Sequence, residues 1–301
     1  MSTVLKHEPS TYMSVHQAAD YLQLNEKKIY ALVSEGKIPA TKVTGKWMFP
    51  RELVDRWILN SAHGGVLTDR LIISGSDDPL LYRIIMEFAQ EIGAHALISY
   101  TPTGTRLGLD LLHAHHVDVC CIHWGPADES KTRHPALIRQ YNQHRNWVLI
   151  RAFRREQGLI VGQNAHEKSK NLFDSKYRWA IRQPGAGAQR FLNEILSRHH
   201  MNNSHLNTTV TALSDRDAAA AVAMNKADVA PGARSAAQEY GLGFIPYGWE
   251  TFDFTLPRDI WFRRLFQEMI KQLNSASCQQ LAEELGGYDL SDSGTLVWGD
   301  Q

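Results

Sequence analysis

Near the start of the chain, apolar positions recur at helical spacing in two short segments. Ala18, Ala19, Leu22 and Leu24 follow Ser14, an N-cap candidate with its capping-box partner, Gln17, three residues on. After a brief turn, Asn25 is a second N-cap candidate. Ile29, Leu32 and Val33 then share one helical face, while Lys27, Lys28 and Tyr30 point elsewhere. Gly36 ends this helix as a left-handed cap. Alternation takes over next: Thr41-Lys42-Val43, a Thr44-Gly45 turn and Lys46-Trp47-Met48-Phe49 predict a hairpin with lysines flanking its tip. Pro50 opens a last helix at its first position.

From residue 67 the pattern changes to apolar strands ending in small hydroxyl residues. Residues 71–76 predict a strand, and Asp77-Asp78-Pro79 opens a helix over 80–93. Residues 95–100 predict a second strand, 101–105 a hydroxyl-rich loop and 106–116 a helix. Residues 117–122 form a third strand ending at His123-Trp124-Gly125. This alternation predicts a parallel α/β sheet, in which ligands sit beyond the strand C-termini. The pattern breaks near Arg151, and strands follow at 158–161 and 179–181 with a turn at 171–174 between them. The Gly-rich loop 182–190 opens a helix over 191–200. It matches neither a phosphate-binding P-loop nor a dinucleotide turn. Ser214-Asp215 caps an Ala-rich helix, and the chain returns through 243–247 and 252–257 to C-terminal helices.

Composition narrows the classes. Lys+Arg and Asp+Glu both number 32 in 301 residues, so any nucleic-acid affinity is local; residues 1–61 carry eight basic and six acidic side chains, a net of only +2. Three cysteines without CxxC spacing read as buried thiols in a reducing compartment. With neither a signal-peptide core nor a long apolar run, the expectation is a cytoplasmic protein with no membrane partner. His113, His115 and His116 invite a metal reading, since positions 113 and 116 share a face on a helix. The alternative is solvated histidines at a helix end, as for His199-His200. No HExxH or GxSxG accompanies them, so no catalytic residue, metal or cofactor is expected, and the chain is not read as an enzyme.

The segment 14–58, above all GKIPATKVTGKWMFPRELVDRWI, resembles the excisionase/MerR-type winged helix-turn-helix. That resemblance implies double-stranded DNA as partner. Asn25, Lys27, Lys28 and Tyr30 would lie on the reading helix, with Lys42 and Lys46 beside phosphates. Residues 69–275 resemble the type II periplasmic-binding-protein fold, and molybdate-binding proteins most closely, through ISGSD at 73–77, SYTPTGT at 99–105, the REQGLIV strand at 155–161, RQPGAGAQRFLNEIL at 182–196 and KADVAPG at 226–232. The expected fold class is therefore α/β: an N-terminal winged helix-turn-helix followed by a two-lobed periplasmic-binding-protein-like domain. The boundaries are 1–61, a Gly-containing linker at 62–68, and 69–301, with lobe one at about 69–150 plus 246–301 and lobe two at about 151–245.

By motif position, the resemblance carries ligand roles to Ser76 and Thr103 on one lobe and backbone roles to Ala188 and Arg216 on the other, with Thr105 a neighbouring candidate. The family's pocket tyrosine falls near Pro231, which has no hydroxyl. Arg182 and Arg190 flank the Gly-rich loop and could add charge for phosphate-like or carboxylate ligands. His123 is either a ligand contact or a hydrogen-bonded structural residue. For Ser76 and Thr103 the alternative is plain helix capping. The expected function is a ligand-responsive, DNA-binding transcriptional regulator, a homodimer sensing a small anion of the molybdate/tungstate kind. The other reading is a cytoplasmic binding or carrier module whose winged helix contacts protein. The apolar stretch 260–285 is a candidate dimer surface, with packing inside a lobe as the alternative.

Overall fold

The computed structural model describes residues 11–61, 70–162, 165 and 172–299. The chain divides into two compact units, Met1–Asp69 and Arg70–Gln301. The linker expected at 62–68 lies outside the described residues.

The first unit runs β1 (Tyr12–Met13), α1 (Val15–Leu22), α2 (Glu26–Ser34), β2 (Thr41–Val43), β3 (Lys46–Pro50) and α3 (Arg51–Ser61). Local chemistry sets its boundaries. Ser14 and Gln17 form the reciprocal capping box on α1, and Asn25 Oδ1 accepts the Lys28 N–H at 2.8 Å to start α2. Gly36, at φ +64°, stops α2. Thr44 and Gly45, both at positive φ, make the hairpin tip between β2 and β3. Two boundaries differ from expectation. Gln23 takes a left-handed conformation, so α1 ends before Leu24; Pro50 is the last residue of β3, paired to Tyr12, and α3 begins one residue later. The core is small: Met13, Ala18, Ala19, Ile29, Ile38, Phe49 and Val54.

The second unit opens with β4 (Arg70–Gly75), α4 (Pro79–Ile92), β5 (Leu97–Pro102), α5 (Thr105–His113), β6 (Val119–Ile122) and α6 (Ser130–Ile138). The 15-residue strand β7 (Trp147–Val161) follows. Then come β8 (Arg178–Arg182), α7 (Gly187–Arg198), β9 (Asn207–Ala212), α8 (Asp215–Ala223), β10 (Val229–Ala233) and α9 (Arg234–Glu239). The chain ends with a second 15-residue strand, β11 (Gly243–Pro257), α10 (Arg258–Trp261), α11 (Arg264–Leu273), α12 (Ala276–Leu285), β12 (Tyr288–Asp289) and β13 (Leu296–Trp298). One sheet runs β5-β4-β6-β11-β7-β10-β8-β9. Its flanks are parallel, and its centre, β6 against β11, β11 against β7 and β7 against β10, is antiparallel.

The breaks expected near Arg151 and between 247 and 252 are absent. β7 and β11 pair along almost their whole length and pass through both lobes. The charged run that reads as a break is satisfied in place: Arg151 bonds Asp253, Arg155 bonds Glu250 and Arg234 bonds Glu156. Lobe one packs β4, α4, α11 and α12 around Ile73, Phe254, Phe266 and Met269, whereas lobe two packs α7, α8 and α9 on β8–β10. The apolar positions of 260–285, including Leu265, Phe266, Ile270 and Leu273, are thus consumed within lobe one. All three cysteines are buried free thiols. Among the described residues, no helix is long and apolar enough to cross a membrane.

Phe49 is wholly buried in the small first core. Phe49→Ala is expected to cost about 3–5 kcal/mol, most of what so small a unit has. Hydrogen exchange should then rise across 15–58 while 70–299 keeps its protection; unchanged protection in 15–58 would contradict this packing.

Candidate ligand cleft

The loops after β4 and β5 carry the hydroxyls singled out above. Gly75, at φ +109°, lets β4 abut β6, since a Cβ there would lie 2.2 Å from the Cys121 oxygen. The chain then places Ser76 and Thr105 side by side, their hydroxyls 2.8 Å apart, and Thr105 also donates to the His123 carbonyl. Thr103 pairs with Ser74 at 2.8 Å and accepts the Gly75 N–H. Neither Ser76 nor Thr103 caps a helix: Asp78 caps α4, and α5 starts at Gly104 without a side-chain cap. Their hydroxyls instead bond other lobe-one hydroxyls.

On the facing lobe, α7 begins behind Ala186 with no side-chain cap, and Ala188 is buried in its first turn. Gly187 presses on His123: a Cβ there would lie 2.4 Å from the histidine oxygen. The Arg106 N–H donates to Gly185 O at 3.3 Å, another direct contact between the lobes. At the start of α8, the Arg216 N–H donates to Asp77 Oδ2 at 3.2 Å, and its guanidinium donates to the same carboxylate at 3.0 and 3.3 Å. The backbone donor expected to meet an external anion therefore holds a carboxylate of the opposite lobe.

Behind these loops lies a buried ion network. Arg155 is wholly buried on β7. It donates through Nε to Glu250 at 2.8 Å and through Nη1 to Asp78 at 3.0 Å and the Asp77 carbonyl at 2.9 Å; its Nη2 lies 3.1 Å from Asp215. Asp215 also takes Arg182, and Asp78 accepts from Tyr288 at 3.0 Å. Arg182 is thus committed to Asp215 and adds no unpaired charge to the cleft. His123 Nδ1 lies 2.8 Å from Glu250 Oε2, the hydrogen-bonded structural arrangement. Arg190 sits 5.0 Å over the Trp124 ring and pairs with Glu194 at 2.7 Å.

Burial pushes the Glu250 carboxyl up, but His123 and Arg155 outweigh it and hold the group below its ordinary 4.5. Asp78 moves the other way, its burial outweighing Arg155 and the Leu81 N–H. Asp77, Asp78, Arg155, Asp215, Glu250 and Tyr288 were not singled out as site residues from sequence. For all but Tyr288, the one visible signal is an ionisable residue inside an otherwise buried strand or at a helix start.

The structure brings Ser76, Thr105 and His123 together, with His123 against Gly187 and Arg216 beside Asp77, while Thr103 stays with Ser74 and Ala188 is buried in the first turn of α7. The histidine pair is not assembled. α5 stops at His113, His115 turns left-handed, and Gln143 hydrogen-bonds both. Among the described residues no group of His, Cys, Asp and Glu could hold a metal ion.

A helix-turn-helix unit followed by a two-lobed sheet domain with helix starts facing a cleft has the organisation of a ligand-sensing regulator. A family model described as the PBP superfamily domain matches residues 87–274, and a helix-turn-helix domain model matches residues 12–61. The chain belongs to the PBP superfamily domain family. No curated protein matches the sequence. Among solved structures, a phosphate ABC-transporter substrate-binding protein of Clostridium perfringens with bound phosphate is similar at TM-score 0.52 and 12% identity, over 72% of this chain and 98% of that one. A Corynebacterium glutamicum OxyR mutant is similar at TM-score 0.50 and 12% identity, over 90% and 89% of the two chains. At such identities the likeness is one of fold.

Glu250→Gln tests the ion network. With a folded pKa below the unfolded one, Glu250 contributes fully above the unfolded pKa and loses that contribution as pH falls through the folded value. The variant is expected to lose roughly 3–5 kcal/mol at pH 7, because the buried Arg155 guanidinium loses one of its carboxylate partners. The gap from the parent should narrow below pH 4.5. A gap constant from neutral to strongly acidic pH in denaturant titrations would contradict the pairing.

Proposed function

We propose that this protein is a cytoplasmic, homodimeric regulator of transcription that binds double-stranded DNA through its first unit and senses a small anion between the lobes of its second. Binding, not catalysis, is the role assigned to the cleft. The observation that carries the reading is the carboxylate of Asp77 seated on the Arg216 N–H and guanidinium. A helix start with an adjacent guanidinium is an anion site by its chemistry, and here it already binds an anionic group. An incoming oxyanion would take the place of Asp77 and draw on the Ser76, Thr105 and Ala188 side of the cleft. Molybdate and tungstate are the first candidates, by the sequence resemblance.

For the DNA side, the support is exposure. Lys27, Lys28 and Tyr30 lie outward on α2 opposite the buried Ile29, and Lys42 and Lys46 are exposed on the hairpin. Asn25 is exposed as well, though its side chain serves as the α2 cap. A dimer would present two such units to a two-fold site.

Duplex binding should fall steeply with salt, and Lys42→Ala or Lys46→Ala should each lower the slope by about one counterion. A salt-independent slope would turn the reading to a protein-contact module. Thermal titration with molybdate, tungstate, sulfate and phosphate should raise the midpoint, through a stabilisation of about 2.7 kcal/mol at 100 times the Kd. Asp77→Asn, which removes the internal competitor, should tighten the responding oxyanion about tenfold. No rise with any of the four, in parent and variant alike, would remove the oxyanion reading.

A further inference from the structure

Where β7 begins and β11 ends, Trp147 opposite Pro257, a cavity of about 300 Å³ opens in lobe one. The cleft lies past the opposite end of this part of the sheet, beyond Ile122 of β6. Arg139 just after α6, His144 and Arg145 of the short helical turn Asn142–Asn146, Trp147, Trp298 and Gly299 line the cavity. Gly299, at φ +116°, lets the end of β13 lie against the start of β7, since a Cβ there would be 2.9 Å from the Trp147 oxygen. Arg258 donates to the Gly299 carbonyl and holds that end in place. Trp147 is buried, with the Tyr141 ring 5.6 Å from its own, whereas Trp298 is half-buried.

The lining is cationic and aromatic, and no carboxylate belongs to it. Most described arginines of the second unit pair with Asp or Glu, as Arg151, Arg155, Arg178 and Arg234 do. Arg139 and Arg145 are exposed and have no such partner among the described residues; Arg139 lies over the Trp298 ring at 5.9 Å. Two uncompensated guanidiniums beside one cavity make its potential positive, which draws in an anion. His144 Nδ1 lies 2.7 Å from the Tyr141 carbonyl, so Nδ1 is the donor of that bond and Nε2 remains as the ring's second polar atom. Trp298 supplies a flat apolar wall on which a planar ring can stack. The volume is at the small end of the range for ligand sites, which suits a ligand of one or two rings.

We propose that this cavity is a second binding site, separate from the cleft, for a small phosphate monoester that carries an aromatic ring, the class to which nucleoside monophosphates belong. The ring lies on Trp298, and the phosphate takes Arg139 and Arg145, with His144 beside them. A phosphate monoester suits two guanidiniums from separate elements. It carries nearly two charges at neutral pH and three acceptor oxygens, whereas a single arginine satisfies a carboxylate. The assignment rests neither on DNA binding nor on an oxyanion in the cleft.

Calorimetric titration of the full chain with phenyl phosphate and adenosine monophosphate tests it, with adenosine and inorganic phosphate as comparisons. Saturable binding of at least one ester is expected, with adenosine, which lacks the phosphate, weaker than its monophosphate by about tenfold or more. Arg139→Gln and Arg145→Gln should each weaken the ester about tenfold. Both side chains are exposed, so the variants should melt as the parent does. Inorganic phosphate held in the cleft meets neither arginine, so its titration should be the same in parent and variants, which separates the two sites. Absence of saturable binding by both esters, or ester affinity unchanged in both arginine variants, would overturn the proposal, whatever the oxyanion titrations return.

Discussion

Arg155 receives carboxylates from three elements far apart in sequence: Asp78 at the start of α4, Asp215 at the start of α8 and Glu250 on β11. A guanidinium removed from water is tolerable only when such partners are held in place. Asp78 belongs to lobe one and Asp215 to lobe two, so the relation between the lobes is built into this network. Around it the cleft takes shape. Asp78 caps α4, Glu250 orients His123, and Asp215 fixes Arg182. The His123 loop has its own brace, because His134 accepts the Trp124 N–H at 3.0 Å while its other ring nitrogen lies 2.7 Å from Asp253.

Anion chemistry in this domain follows from that construction. Lobe one offers hydroxyls that satisfy one another, and lobe two offers helix starts without side-chain caps or with an arginine next to them. Where the two meet, Asp77 supplies the negative charge that the start of α8 favours. On the proposed reading, an external anion would have to offer more than Asp77 does, and selectivity would depend on that difference. On that reading the cleft would respond to ligand by exchanging one anion for another, which would tie ligand binding to the contact between lobes.

Much of the first unit was legible because its signals are local. Ser14 with Gln17, Asn25, Gly36 and the Thr44-Gly45 tip each act over three or four residues, and each marks an element end in the structure. The same holds for Asp78-Pro79 and Ser214 in the second unit. β7 was harder to read. Its run from Arg151 to Gln157 has the polarity of a loop, and only Asp253, Glu250 and Asp78, distant in sequence, make it a buried strand. β11 was divided in the same way, at a Gly-containing stretch that turned out to be a bulge within one strand.

The site residues divide along the same line. That hydroxyls, a Gly-rich loop and helix starts gather at strand ends was readable from composition and spacing, because strand–loop–helix repeats bring such loops to one edge of a sheet. Which groups they bond was not. Ser76 pairs with Thr105, Thr103 with Ser74 and Arg216 with Asp77, through contacts spanning 29, 29 and 139 residues. The sequence by itself determined most of the elements, many of their caps and the alternating α/β order, with the long strands β7 and β11 the exceptions, as consequences of local backbone chemistry and periodicity. Only the tertiary structure decided which charges are neutralised and which donors face the cleft, because a charge or hydroxyl takes its role from the partner the fold brings within hydrogen-bond reach.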